Sequence, residues 1–226
     1  MSTTLSENLI TLNNPRSPIA EAYRSLRTNL EFASLDKRLR TLVVTSAGPE
    51  EGKSTTLANL AVITAETGRK VILADCDLRR PKLHEIFGAD NSAGLTSMMV
   101  DDQALKQPPL QRTAVEGLWL LPSGPQPPNP AELLASRRML EVIELLAGQA
   151  DMVLFDAPPI IAVTDAAVLA ARVDGVLLVI SAGTTKREYV RQAKILLEKV
   201  NARIVGAVLT NVTVDAALHR YYTQQR

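Results

Sequence analysis

Cysteine is all but missing from this 226-residue chain: Cys76 stands alone, so no internal disulfide can form, and a reducing cytoplasm suits it. Charge of one sign is missing too. The net charge of +1 provides no general basic field for nucleic acid or an anionic membrane, and no nucleic-acid partner is expected. No apolar run approaches the roughly 18 residues that span a bilayer. The opening stretch, MSTTLSENLITLNN, lacks the basic start and apolar core of a signal peptide. No internal repeat is visible. These absences leave a cytoplasmic, globular chain.

Hydrophobic residues make up 46% and charged residues 22%, enough for one domain with a substantial core and barely enough for two. After about 15 polar residues, Ile19, Tyr23, Leu26, Leu30 and Ala33 recur at helical spacing. Six apolar runs follow, 41–46, 70–75, 118–123, 152–156, 175–181 and 204–211, most of them apolar on both faces as buried parallel strands require. Helices are expected over 55–67, 131–147, 165–171 and 186–200, with Gly68 stopping the first. The proline-rich LPSGPQPPNP reads as a surface loop. Strand–helix alternation predicts one α/β domain, a mostly parallel twisted sheet with helices on both faces.

Ser46 to Thr56, SAGPEEGKSTT, follows the first strand and opens a helix. Ala47, Gly48, Pro49, Glu50, Glu51, Gly52, Lys53, Ser54 and Thr55 have the spacing of a phosphate-binding loop, with alanine where the first glycine usually stands. Glycine lets backbone N–H groups converge on phosphate oxygens, and the helix offers its positive end. Lys53 is expected to reach the β- and γ-phosphates of ATP, and the Ser54 hydroxyl to bind Mg2+. The fold class is therefore a P-loop NTPase. An ordinary β–α turn with a chance Gly-Lys-Ser is the bland alternative.

Two further stations lie at strand ends. In VILADCDLRRP the period of two places Asp75 and Asp77 on one side and Cys76, a packed side chain, on the other. Paired carboxylates there repel unless a cation is near, and ligands of open α/β sheets bind at those strand ends. In MVLFDAPPI, Asp156 ends a buried strand, where an unpaired carboxylate is costly and a metal ion is the natural partner. Taken singly, each aspartate also fits a cap or a turn. Position 157 is alanine, so no adjacent glutamate activates water, which weighs against a fast motor-type ATPase.

Together, in this order, the three motifs resemble the bacterial tyrosine kinases of capsular and exopolysaccharide synthesis. That family carries a Walker A loop, an apolar–Asp–x–Asp–x–Arg motif and a Walker B ending Asp–x–Pro–Pro, here Ala47 to Ser54, Asp75 to Arg79 and Asp156 to Pro159. The similarity includes SPIAEAYRSLRTNL and LPSGPQPPNPAELLAS and covers about residues 17–211. It divides the chain into an N-terminal segment (1–16), a kinase domain (17–211) and a tail (212–226). The resemblance implies that Lys53, Ser54, Asp77 and Asp156 bind ATP and magnesium. It implies that Asp75 orients or deprotonates an incoming tyrosine, that Lys53 and Asp77 share in catalysis, and that Asn211 approaches the adenine. A strand-end asparagine is otherwise a common turn residue.

Partition and septum-placement ATPases share the fold but carry an extra lysine where this chain has Gly48. A nucleotide-gated assembly factor without kinase activity is the other alternative. The family's kinases usually end in a tyrosine cluster, whereas only Tyr221 and Tyr222 lie in this tail as expected phosphate acceptors. Glu21, Arg24 and Arg27 recur every three residues. By default they form a solvated face with local pairs, and by resemblance they assemble homo-oligomeric rings. The resemblance also implies a separate transmembrane activator of the polysaccharide export system, recruiting the chain to the inner face of the cell membrane.

Overall fold

The computed structural model describes residues 7, 9–34 and 38–212. Tyr221 and Tyr222 lie outside the described residues. Its strands are β1 (Thr41–Ser46), β2 (Val71–Asp75), β3 (Gln111–Arg112), β4 (Leu118–Leu121), β5 (Met152–Asp156), β6 (Gly175–Ser181) and β7 (Ile204–Thr210). They form one sheet in the order 3-4-2-5-1-6-7. Every pairing is parallel except the β3–β4 edge. The helices are α1 (Ile10–Asn13), α2 (Pro18–Phe32), α3 (Lys53–Ala65), α4 (Leu83–Phe87), α5 (Leu95–Val100), α6 (Asp102–Lys106), α7 (Pro130–Ala135), α8 (Arg137–Gln149), α9 (Asp165–Ala170) and α10 (Arg187–Lys199).

The period of two along each strand divides the core between the two faces of the sheet. Val43, Ile72, Val153, Phe155, Val176 and Leu178 join the cluster that includes α8 and α9. Leu42, Val44, Leu73, Leu154, Leu177 and Val179 join the one that includes α3 and α4. Both faces are covered, so the central strands are continuously apolar, as expected. At the edge the expectation fails: β7 is only partly buried, because no strand among the described residues flanks its outer side.

Three departures from the sequence reading have local causes. The expected helix over 131–147 is two helices, because Ser136 leaves helical geometry (φ −64°, ψ 161°) and its side chain caps α8 by accepting from Met139 N at 3.3 Å. The residues before 17 are not merely a polar lead-in. Leu9 is fully buried, and the backbone N–H and hydroxyl of Thr11 both donate to Asn59 Oδ1, at 3.1 and 2.9 Å. The proline-rich loop is buried at its start, residues 121–124, where two backbones cross. A Cβ on Gly94 would lie 2.1 Å from Pro122 O, and one on Gly124 2.4 Å from Thr96 Oγ1.

Candidate active site

Because β5 lies between β1 and β2, the carboxyl ends of these three strands meet. Val44 of β1 and Asp75 of β2 both stand in register with Asp156 of β5. The phosphate loop leaves β1, Asp77 follows β2, and Asp156 ends β5 between them. Strand order alone thus gathers three motifs that are far apart in the chain.

The loop ends at Gly52, whose φ of +84° is the left-handed conformation that glycine adopts without penalty. No side chain caps α3 there, so its first-turn N–H groups keep their donors for a ligand. Glu51 braces the loop from within. Its carboxylate accepts from Ala47 N at 3.0 Å and from the Thr185 hydroxyl at 2.7 Å, while its carbonyl accepts from Thr210 Oγ1 at 2.8 Å. A Cβ on Gly48 would stand 3.0 Å from Glu51 Oε1. This loop has no room for the extra lysine of the partition ATPases unless Glu51 moves.

Lys53 Nζ lies 2.8 Å from Asp77 Oδ2 and 3.3 Å from Asp156 Oδ1, and the Ser54 hydroxyl donates to Asp156 Oδ2. Burial alone would lower the Lys53 pKa, but the charges of Asp156 and Asp77 outweigh it and hold it above its ordinary value. Burial raises the Asp156 carboxyl, against the pull of Lys53 and the Ser54 hydrogen bond.

Asp75, to which the resemblance gives the orienting or deprotonating of an incoming tyrosine, is held by backbone N–H groups. It is fully buried and does not line the cavity of about 440 Å³ that Lys53, Ser54, Asp77, Arg80, Lys82 and Pro159 help to form. Its carboxylate accepts three backbone N–H groups, those of Asp77 (3.2 Å), Lys82 (3.0 Å) and Leu83 (2.9 Å). It therefore organises the turn from β2 into α4. Burial first, and then the charge of Asp156, push its pKa up to about 8. Burial likewise raises the thiol of Cys76, which packs into the core as expected.

The oxygens gathered around Lys53, at the cavity and just behind its wall, suit magnesium. Ser54, Asp77 and Asp156 offer only hard oxygens, and the described residues contain no cluster of three His, Cys, Asp or Glu able to cage a metal unaided. Magnesium is characteristically held by one or two carboxylates together with substrate phosphates, not by an all-protein cage.

Across the phosphate loop lies a second cavity, of about 550 Å³, lined by Ile19, Tyr23, Thr55, Leu209 and Asn211 among others. Asn211 has a φ of +55° and donates from Nδ2 to Ser181 Oγ at 2.9 Å. On α2, Glu21 pairs with Arg24 at 3.0 Å, and Arg24 also donates to Pro15 O, so the local pairing expected by default is present. Arg27 points elsewhere, its Nε 3.9 Å from Glu31.

Comparison with known proteins adds the lineage. Residues 42–225 match the model of the CobQ/CobB/MinD/ParA nucleotide binding domain. The chain is 45% identical to the tyrosine-protein kinase YwqD of Bacillus subtilis, over 91% of its own length and 86% of that protein's. The chain belongs to the bacterial tyrosine-protein kinase family. It is 34% identical to the tyrosine-protein kinase wzc of Salmonella typhimurium over 95% of its length, but that match takes in only 30% of wzc. The solved kinase domain of the Escherichia coli tyrosine kinase ETK superposes with a TM-score of 0.89 at 33% identity, covering 96% of this chain and 85% of that one. As a member of this family it is an enzyme, built on a P-loop NTPase fold.

Sequence reasoning missed two features of the kinase site. Thr185 lies 134 residues from Glu51 in a stretch without a motif, and no local signal exposes it. Arg79, part of the quoted motif, forms a two-pronged ion pair with fully buried Asp165, at 2.9 and 3.2 Å. The place of Asp165 at the start of an expected helix was its only hint.

Proposed function

We propose that this chain is an ATP-dependent protein-tyrosine autokinase serving capsular or exopolysaccharide synthesis and export. The observation that carries the reading is that Lys53, Ser54 and Asp77 line one cavity and that buried Asp156 meets Lys53 and Ser54 behind its wall, in a chain of the tyrosine-kinase family. Lys53 and the first-turn N–H groups of α3 hold the triphosphate, and Ser54, Asp77 and Asp156 supply oxygens for magnesium. Magnesium, when bound, neutralises phosphate charge. A new bond forms between the tyrosine oxygen and the γ-phosphorus, the bond to the bridging oxygen breaks, ADP leaves with its electron pair, and the phenol proton passes to solvent. A phenol has a pKa near ~10, so placement rather than prior ionisation carries the attack. Asp75 contributes through the turn it holds. The cavity beside Asn211 takes the adenine.

The acceptors in this reading are Tyr221 and Tyr222 of a neighbouring copy, within reach of a tail that extends up to roughly 45 Å if stretched. Glu21, Arg24 and Arg27 join the copies, Arg27 having the longest of the stripe's ion pairs, 3.9 Å to Glu31 of the same helix. No described helix is long and apolar enough to cross a membrane. A separate transmembrane activator then supplies recruitment to the inner face of the membrane, a role consistent with the short share of wzc that this chain matches.

The test mixes a Lys53→Met subunit with an active subunit lacking residues 213–226, adds ATP and magnesium, and locates phosphotyrosine by mass spectrometry. Phosphate at Tyr221 or Tyr222 of the inactive subunit is expected. Hydrolysis of ATP with no phosphotyrosine anywhere would replace the kinase by a nucleotide-gated assembly factor. Light scattering on Glu21→Ala/Arg24→Ala/Arg27→Ala is expected to show a smaller assembly than the wild type, and an unchanged mass removes the stripe from the interface.

A further inference from the structure

Phosphoryl transfer spreads negative charge over the equatorial oxygens of the moving group, and enzymes meet that charge with cations aimed at it. Three cations line the cavity of about 440 Å³: Lys53, Arg80 and Lys82. Two are already engaged. Lys53 is shared between Asp77 and Asp156, at 2.8 and 3.3 Å, and Lys82 pairs with Glu85 at 2.8 Å. The guanidinium of Arg80 pairs with no carboxylate among the described residues. Its main chain is nonetheless fixed beside the reaction, because Arg80 N donates to Asp77 Oδ1 at 3.0 Å.

Its neighbour shows the contrast. Arg79 turns the other way and spends its planar fork on buried Asp165. Adjacent arginines thus serve opposite ends of one turn: Arg79 anchors it to α9, and Arg80 is left exposed at the cavity wall. A guanidinium carries its charge at every physiological pH and offers several donors in a fork matched to phosphate oxygens.

We propose that Arg80 is a catalytic residue that contacts the γ-phosphoryl group during transfer and neutralises the charge that Lys53, held by two carboxylates, leaves uncompensated. The residue acts on the group in flight, so it lowers the barrier more than it tightens nucleotide binding. The proposal rests on the kinase reading above.

The experiment compares wild type, Arg80→Ala and Arg80→Lys. Transfer from ATP to a random glutamate–tyrosine copolymer gives turnover, and displacement of a fluorescent ADP analogue gives affinity. Circular dichroism and a thermal scan establish that each variant is folded. Arg80→Ala is expected to lose about 100-fold in turnover, the size seen when one preorganised donor is removed, with ADP affinity within about twofold of wild type. Arg80→Lys, which keeps the charge but not the fork, is expected to fall between. Turnover near the wild-type value in Arg80→Ala overturns the proposal, as does a loss of ADP affinity as large as the loss of turnover. If wild type itself forms no phosphotyrosine, the kinase reading fails separately. The same comparison made on ATP hydrolysis, which breaks the same bond, then decides Arg80.

Discussion

The two cavities on either side of the phosphate loop are built by opposite means. On the phosphate side, Asp75, Asp77 and Asp156 are buried and their oxygens are engaged by Lys53, Ser54 or backbone N–H groups. Their positions follow from the register of three adjacent parallel strands. On the other side the walls are apolar and open: Ile19, Leu209 and Val212 keep 51%, 61% and 53% of their surfaces exposed. Carboxylates that hold a lysine in place beside a phosphate loop need a fixed, dry setting. In the proposed reading the base needs only surface, which an edge strand and a neighbouring helix offer here.

The contrast is broken most severely at its centre. Asp156→Asn keeps the shape of the side chain and removes the charge. Transfer is expected to fall about 100- to 1000-fold, measured as initial rate of phosphotyrosine formation. The midpoint of thermal unfolding should hold or rise, since two buried carboxylates instead of three then face one ammonium. A variant that kept transfer within tenfold would show that the strand register does not define the site. The next effect is structural. Arg79→Ala strips the partner from buried Asp165 and is expected to cost about 2–3 kcal/mol in urea unfolding. That lies below the ~3–5 kcal/mol of a wholly buried pair, because Arg79 itself is partly exposed. Adding Asp165→Asn to it should return most of the loss, and no recovery would mean that the pair is not what holds the turn.

The smallest effect lies where the two cavities are joined. Thr185→Val deletes the hydroxyl that ties Glu51 to the β6–α10 loop while preserving shape. A lost hydrogen bond of about 1 kcal/mol corresponds to roughly fivefold weaker ADP binding by calorimetry. Thr185→Ser should restore it. Equal affinity in Thr185→Val would show the loop to be set from the phosphate side alone.

How much could be read in advance follows the same division. Buried parallel strands announce themselves as apolar runs, and β1, β5 and β6 match the expected spans residue for residue. The carboxylates that end or follow two of the strands, and the loop after β1, were legible because their chemistry is local in sequence. The brace from Glu51 to Thr185 and the pair from Arg79 to Asp165 join residues 134 and 86 positions apart, and no periodicity encodes such a distance. Helices α4 to α6 are only five or six residues long, shorter than the window in which helical periodicity becomes visible. Ser136 escaped notice because one serine inside an alanine- and leucine-rich run reads as helix unless its capping partner is seen. The orientation of Asp75 depended on where the chain turns after Pro81, which the strand period does not reach.

The crossing of Gly94 and Gly124 bears on how this kinase can diverge. Elsewhere a residue is exchanged through a series of intermediates of rising size. Here even the first methyl group meets backbone oxygen at one position and the Thr96 hydroxyl at the other. Neither glycine has a neutral neighbour in sequence space. Descendants are free to vary the prolines that follow, or the α5–α6 segment that precedes, but a lineage losing either glycine must rebuild both loops in the same step. A deep mutational scan should therefore show intolerant columns at both positions, the stricter at Gly94, whose Cβ meets backbone. Gly148, whose Cβ would meet nothing within 4 Å, should by contrast drift freely.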